Sequence, residues 1–196
     1  DAATGHMLED PGVPYESRIP VPAVADRNRV IFANAAGELL CFRPGTRDQL
    51  WKLTIPSGYA LSLELLGDRL LLTTTSQEVL CIDTQSLNVL WTQPTSGLGF
   101  NSIARRDANS VIVAAGDLFC LDLKHGRTLW RLPNPDPAAA ATVADSATPG
   151  FCRGPAVIHN NRGFALTQSG TLVEFNPDTG SPTRTQAFPG NFWNHL

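Results

Sequence analysis

Apolar residues along this chain come in short runs separated by turn residues, and the runs recur with a period near 40 positions. The first period reads as four strands, at 21–25, 29–33, 38–42 and 49–53, divided by Asp26-Arg27-Asn28, Ala35-Ala36-Gly37 and Pro44-Gly45. The second places strands at 60–66, 69–74, 79–83 and 89–93, and the third at 100–103, 110–114, 118–122 and 128–132. A fourth follows at 155–158, 162–166, 171–175 and 183–188. No stretch shows the three-to-four-residue apolar spacing of an amphipathic helix. Four short antiparallel strands in every period predict an all-β chain, a β-propeller of four-stranded antiparallel blades with about four blades. The blades fall near 20–55, 56–95, 96–132 and 155–188.

Inside that rhythm lies a more specific repeat. Residues 41–51 (CFRPGTRDQLW), 81–91 (CIDTQSLNVLW) and 120–130 (CLDLKHGRTLW) each begin in Cys and end in Trp ten positions later. A weaker copy ends the series, with Glu174 at the Cys position and Arg184 at the Trp position. A fixed period in this range belongs to a solenoid, a propeller or an array. Between Trp130 and the fourth blade the metre breaks: residues 133–154 form an insert rich in Pro, Ala and small polar residues. Long connections of this kind are surface loops, and they either carry function or are merely tolerated. The opening residues 1–11 contain Gly5-His6-Met7, read as the remnant of a cleaved tag, and the propeller is assigned to 12–196.

Composition narrows the function classes. A formal net charge of −3 and 17% charged residues lack the broad basic footprint of a nucleic-acid binder. No apolar run approaches the length of a membrane-spanning helix, so no membrane insertion is expected. Cys41, Cys81 and Cys120 sit within apolar runs at equivalent places of successive repeats, where cysteine acts as a small buried hydrophobe. No Cys-x-x-Cys or His-rich spacing points to zinc. Glu38, Asp83, Asp122 and Glu174 recur at repeat-equivalent strand ends, which suits turn-stabilising or solvated roles better than a convergent metal site. Among the histidines, His125 falls in a turn of the repeat, His195 at the chain end, and only His159 stands near the insert at the end of a predicted inner strand.

The 11-residue unit resembles the docking motif A-x-D-x-x-x-G-x-x-x-W of the pyrroloquinoline-quinone-like, tryptophan-docking propeller repeats. Its Asp position holds Asp83 and Asp122, with Asn176 and Arg43 in the other copies. Its Gly position holds Gly126 and Gly180, with Leu87 and Arg47 elsewhere, and its Trp position holds Trp51, Trp91 and Trp130. The resemblance implies that each of these indoles is buried between neighbouring blades and is structural. It also implies one of several functions, because members of the family include quinone-dependent alcohol and glucose dehydrogenases, the propeller lipoprotein of the outer-membrane barrel-assembly machinery, and lumenal sensor domains. The dehydrogenases use adjacent cysteines and a calcium ion, and this chain has no neighbouring cysteines.

The expectation is therefore a non-catalytic scaffold without a cofactor, binding a protein or peptide partner through loops on one face. Tyr59, Phe100, Phe151, Arg153 and His159 are the candidate contacts. Two alternatives stay open: a fragment of a quinone-dependent dehydrogenase, and a structural module that completes a propeller with another copy. The blade array is expected to be open rather than closed on itself. An extracytoplasmic location, periplasmic or secreted, is what the resemblance implies, although unpaired thiols also suit a reducing cytosol.

Overall fold

The structure is a computed structural model that describes residues 21–97, 102–134, 156–167 and 170–188. The remnant-like residues 1–11, nearly all of the 133–154 insert, and Phe100, Phe151 and Arg153 lie outside the described residues. Blade 1 comprises β1 (Val24–Ala25), β2 (Val30–Ala33), β3 (Glu38–Phe42) and β4 (Gln49–Thr54). Blade 2 comprises β5 (Ala60–Leu66), β6 (Arg69–Thr74), β7 (Glu78–Asp83) and β8 (Val89–Pro94). Blade 3 has β9 (Ser102–Arg105), β10 (Ser110–Ala115), β11 (Asp117–Asp122) and β12 (Thr128–Leu132), and blade 4 has β13 (Val157–His159), β14 (Arg162–Leu166), β15 (Thr171–Phe175) and β16 (Pro182–Ala187). Every blade is an antiparallel meander whose spatial order follows the chain. β1 is shorter than its apolar run because Pro22 has no N–H to give to a ladder.

The middle strands of blades 2 and 3 are buried on both faces, which explains their unbroken apolar runs. All six residues of β10, Ser-Val-Ile-Val-Ala-Ala, are buried. Their alternate side chains serve two different seams. Val111, Val113 and Ala115 pack with Leu71 and Cys81 of blade 2, whereas Ile112 and Ala114 pack with Val173 and Phe175 of blade 4. The seam between blades 1 and 2 joins Ile31, Leu39 and Cys41 to Leu70, Leu72 and Ile82. Among the described residues these three seams hold the cores, strands pair only within blades, and no core joins blade 4 to blade 1. The described residues form a partial propeller of four blades.

A β-bulge recurs at one place in all four blades. The third strand pairs Phe42 with Gln49 and then Cys41 with Trp51, so Leu50 has no partner. Leu90 in blade 2, Leu129 in blade 3 and Thr183 in blade 4 stand unpaired in the same way. Side chains alternate between the two faces of a strand, so one extra residue switches the face of everything beyond it. Without the bulge, Trp91 would lie opposite Leu80 and point away from blade 3. With it, Trp91 lies opposite Cys81, and both enter the seam with blade 3. The bulged leucines remain at the rim, 43%, 45% and 54% exposed for Leu50, Leu90 and Leu129.

Candidate functional site

The array has two ends. The connections between blades and the turns joining second to third strands form a loop face. The turns joining first to second strands, together with the 11-residue docking turns, form the opposite, turn face.

On the turn face the docking turns of blades 2 and 3 are built by their acids. Asp122 Oδ1 accepts the N–H of Lys124 at 2.9 Å and its Oδ2 meets His125 Nδ1 at 2.8 Å. Asp83 Oδ1 accepts the N–H groups of Gln85 and Ser86 at 2.9 and 2.7 Å. The turn amides hold both carboxyls below their ordinary range, led by Lys124 N–H at Asp122 and Ser86 N–H at Asp83. The turn then closes through a residue at positive φ: Gly126 at 72°, Gly180 at 71° and Leu87 at 61°.

That turn is also a socket for the preceding blade. Trp91 Nε1 donates to the carbonyl of Leu123 at 3.1 Å, and Trp130 Nε1 donates to the carbonyl of Pro177 at 2.9 Å. The indole rings lie over Gly126 and Gly180, and a Cβ at Gly180 would sit 2.7 Å from Cδ2 of Trp130. Glycine is required there twice, for the left-handed backbone and for the approach of the ring. Trp130 also meets Phe175 edge to face, with centroids 5.7 Å apart.

Trp51 departs from the expectation that all three indoles are buried. It is half-buried, and among the described residues its Nε1 has no counterpart of the other two hydrogen bonds. The socket it faces carries Leu87 where the others carry glycine, and a Cβ at either of those glycines would collide with the docked ring.

Arginines reach across each seam toward the same sockets. Arg29 donates to Thr84 Oγ1 at 2.5 Å, the Gly67 carbonyl at 2.8 Å and Asp68 Oδ1 at 3.1 Å. Arg69 donates to the Leu123 carbonyl, the acceptor that Trp91 also uses. In blade 3 Ser110 replaces this arginine, and Arg106, four residues earlier, reaches Asp178 at 2.9 Å. Arg162 of blade 4 instead pairs with Glu174 of its own blade at 2.7 and 2.6 Å. Sequence reasoning missed these clasps, although the 40-residue interval from Arg29 to Arg69, each just before or at the start of a second strand, carried the signal. A cleft of about 340 Å³ between blades 2 and 3 opens here, lined by Arg69, Asp83, Asn109, Asp122 and Lys124 among others. Arg69 is committed there to the seam, and Asp83 and Asp122 to their turns.

The loop face carries Tyr59, 37% exposed. Its N–H donates to Thr75 Oγ1 at 3.2 Å and its carbonyl accepts the Thr75 N–H at 3.0 Å, so the connection between blades 1 and 2 is tied to the β6–β7 turn. Nearby, Ser57 Oγ donates to Glu78 Oε2 at 2.6 Å. Glu38 is paired with Lys52 at 2.5 Å and accepts from Asn34 at 2.8 Å, and these contacts, Lys52 first, lower its carboxyl. At the stem of the insert, the buried Asp117 accepts from Arg131 Nε at 2.6 Å and from the Asn134 N–H at 3.0 Å. Of the sequence-derived contacts only Tyr59 is described on this face. His159 is exposed but lies at the far end of β13, beside the Asn160-Asn161 turn, and so belongs to the turn face. The three described cysteines are free, buried and divided among three seams. Among the described residues no cluster of three or more His, Cys, Asp or Glu is arranged to hold a metal ion.

Proteins similar to this chain share the propeller fold. A family model described as outer membrane protein assembly factor BamB matches residues 13–143 and 114–195. The chain belongs to this family. Among solved structures, BamB from Moraxella catarrhalis aligns with a TM-score of 0.73 and 19% identity over 87% of this chain and 53% of that one. The Cps50 (Swd1) β-propeller domain of Myceliophteria thermophila aligns at 0.69 and 14% identity, covering 91% of this chain and 59% of that one. A computationally designed protein, Ika8, aligns at 0.64 and 14%, covering 84% and 48%. These likenesses establish the fold, and this BamB-family chain spans about half the length of the structures it matches. Among curated proteins no sequence matches it.

Proposed function

We propose that this BamB-family chain is a non-catalytic scaffold that binds a protein or peptide partner through its loop face. The observation that carries the reading is Tyr59, an exposed aromatic on a connection whose backbone is tied at both its N–H and its carbonyl. A tethered aromatic of this kind loses little freedom on binding, which is what makes Tyr an effective anchor. Nearby, Glu38 is paired with Lys52, the stem carboxylate of Asp117 with Arg131, and Glu78 accepts from the Ser57 hydroxyl, so each of these carboxylates is engaged within the chain. Phe100, Phe151, Arg153 and the 133–154 insert are the further contacts in this proposal, since the connections that bear them leave from the same face. His159 is left out, because its position on the turn face separates it from the rest. An extracytoplasmic location agrees with a family named for outer membrane protein assembly.

The test is site-specific photo-crosslinking in the source cells. A crosslinking residue at position 59 should capture a discrete partner. The same residue at position 129, on the rim, should not, and deleting most of residues 135–153 should abolish capture while the far-ultraviolet spectrum stays unchanged. Equal capture at both positions, or none at position 59, would remove the loop face from the reading.

A further inference from the structure

We propose that the seam between blades 1 and 2 is a salt-labile joint, held at its rim by the Arg29 clasp instead of a docked indole, and that it opens while the other two seams stay closed. At the seams on either side of blade 3 the rim is held twice, once by an indole over a glycine with a carbonyl bond and once by an arginine. The first seam keeps the arginine, with the Trp51 indole only half-buried against its core. Its inner part is as apolar as the others, with Ile31, Cys41, Leu70 and Ile82 fully buried, so opening concerns the outer strand β4 and not the whole blade.

Leu87 is the cause. It adopts the left-handed backbone that the socket demands, at φ 61°, and it carries the Cβ that at Gly126 or Gly180 would collide with the docked ring. Trp51 is therefore half-buried, and the indole contributes less to the seam than Trp91 or Trp130. Arg29 crosses to three acceptors on blade 2, and Asp26 of its own blade holds the guanidinium from behind, its Oδ2 at 2.9 Å. The ion pair that spans the seam is the one with Asp68, whose side chain is 55% exposed against 14% for Arg29. Ion pairs of such exposure are screened by salt, whereas a buried indole is not. β4 leads directly into the connection that carries Tyr59, so loosening this strand also frees the residue assigned above to partner binding.

The experiment is hydrogen exchange of the whole chain, read on the peptides spanning β4, β8 and β12. Raising salt from about 20 mM to about 500 mM should speed exchange in β4 by about tenfold and leave β8 and β12 within about twofold, since the other two rims keep a docked indole that salt does not screen even where, as at Arg106–Asp178, they also carry an exposed ion pair. Arg29→Gln should give β4 its high-salt rate at low salt. Leu87→Gly should work in the opposite direction, slowing β4 to the rate of β8 and removing its salt dependence. If β4 exchanges as slowly as β8 at both salt concentrations, or if Leu87→Gly leaves β4 unchanged, the joint does not exist. Should Arg29→Gln fail to fold, the salt series and Leu87→Gly decide the matter alone. None of these readouts involves a partner, so the joint stands or falls separately from the binding face.

Discussion

A Cβ placed on Gly126 would lie 2.5 Å from Cδ2 and Cε3 of Trp91, closer than non-bonded carbons approach. The glycine of one blade and the tryptophan of the blade before it are thus a single structural unit divided between two repeats.

Substitutions on the two sides of this unit should act alike. Trp91→Ala removes an indole that is 9% exposed and should cost about 3–5 kcal/mol. Gly126→Ala should cost about 1–3 kcal/mol or more, because it combines a strained left-handed backbone with a displaced ring. Trp51→Ala, at the socket already blocked by Leu87, should cost less than half as much as Trp91→Ala. Urea unfolding midpoints provide the comparison, and an unchanged midpoint for Trp91→Ala would reject the docking geometry.

Asp117 anchors the stem of the insert. Asp117 is 8% exposed and its carboxylate accepts from both Arg131 and the Asn134 backbone, so Asp117→Ala removes both bonds at a buried position. The expected loss is about 1–3 kcal/mol. Limited proteolysis should show earlier cleavage around residues 133–134 than in the parent chain, with β4 and β8 equally resistant in both.

Acid should weaken the fold through the docking turns. The carboxyls of Asp83 and Asp122 titrate lower in the folded chain than in the unfolded one, so the unfolded chain binds more protons in the interval between the two values. Their contribution is complete above the ordinary aspartate value of about 4 and is lost as pH falls through the lowered folded value. Denaturation midpoints measured from pH 6 downward should drop below about pH 4, and Asp122→Asn should lessen that drop.

The described thiols should be silent until the chain opens. Burial raises all three and pushes Cys81 up to about 11, so neither thiolate fraction nor access favours attack at neutral pH. In a Cys152→Ser background, a thiol reagent should label none of them in buffer and all three in urea. Rapid labelling of Cys41 alone in buffer would mean that the first seam is open at rest.

How much of this was legible in the residues depends on the kind of contact. The all-β class, the four blades and nearly every strand could be read from the chain, because alternation, turn residues and the 40-residue period are local properties that repeat. The burial of Cys41, Cys81 and Cys120 followed from their apolar neighbours in the same way. What the linear pattern misrepresented is the face each tryptophan takes. Strict alternation puts Trp91 on the wrong side of its blade, and only the bulge at Leu90 turns it into the seam. The half-burial of Trp51 was equally hidden, since its cause, Leu87, lies 36 residues away in the next repeat. The clasps of Arg29 and Arg69, and the place of His159 on the turn face, depend on which strand ends meet. Periodicity along a chain reports how each module folds, and the seams between modules are decided by pairs of residues that come together only when one blade is laid against the next.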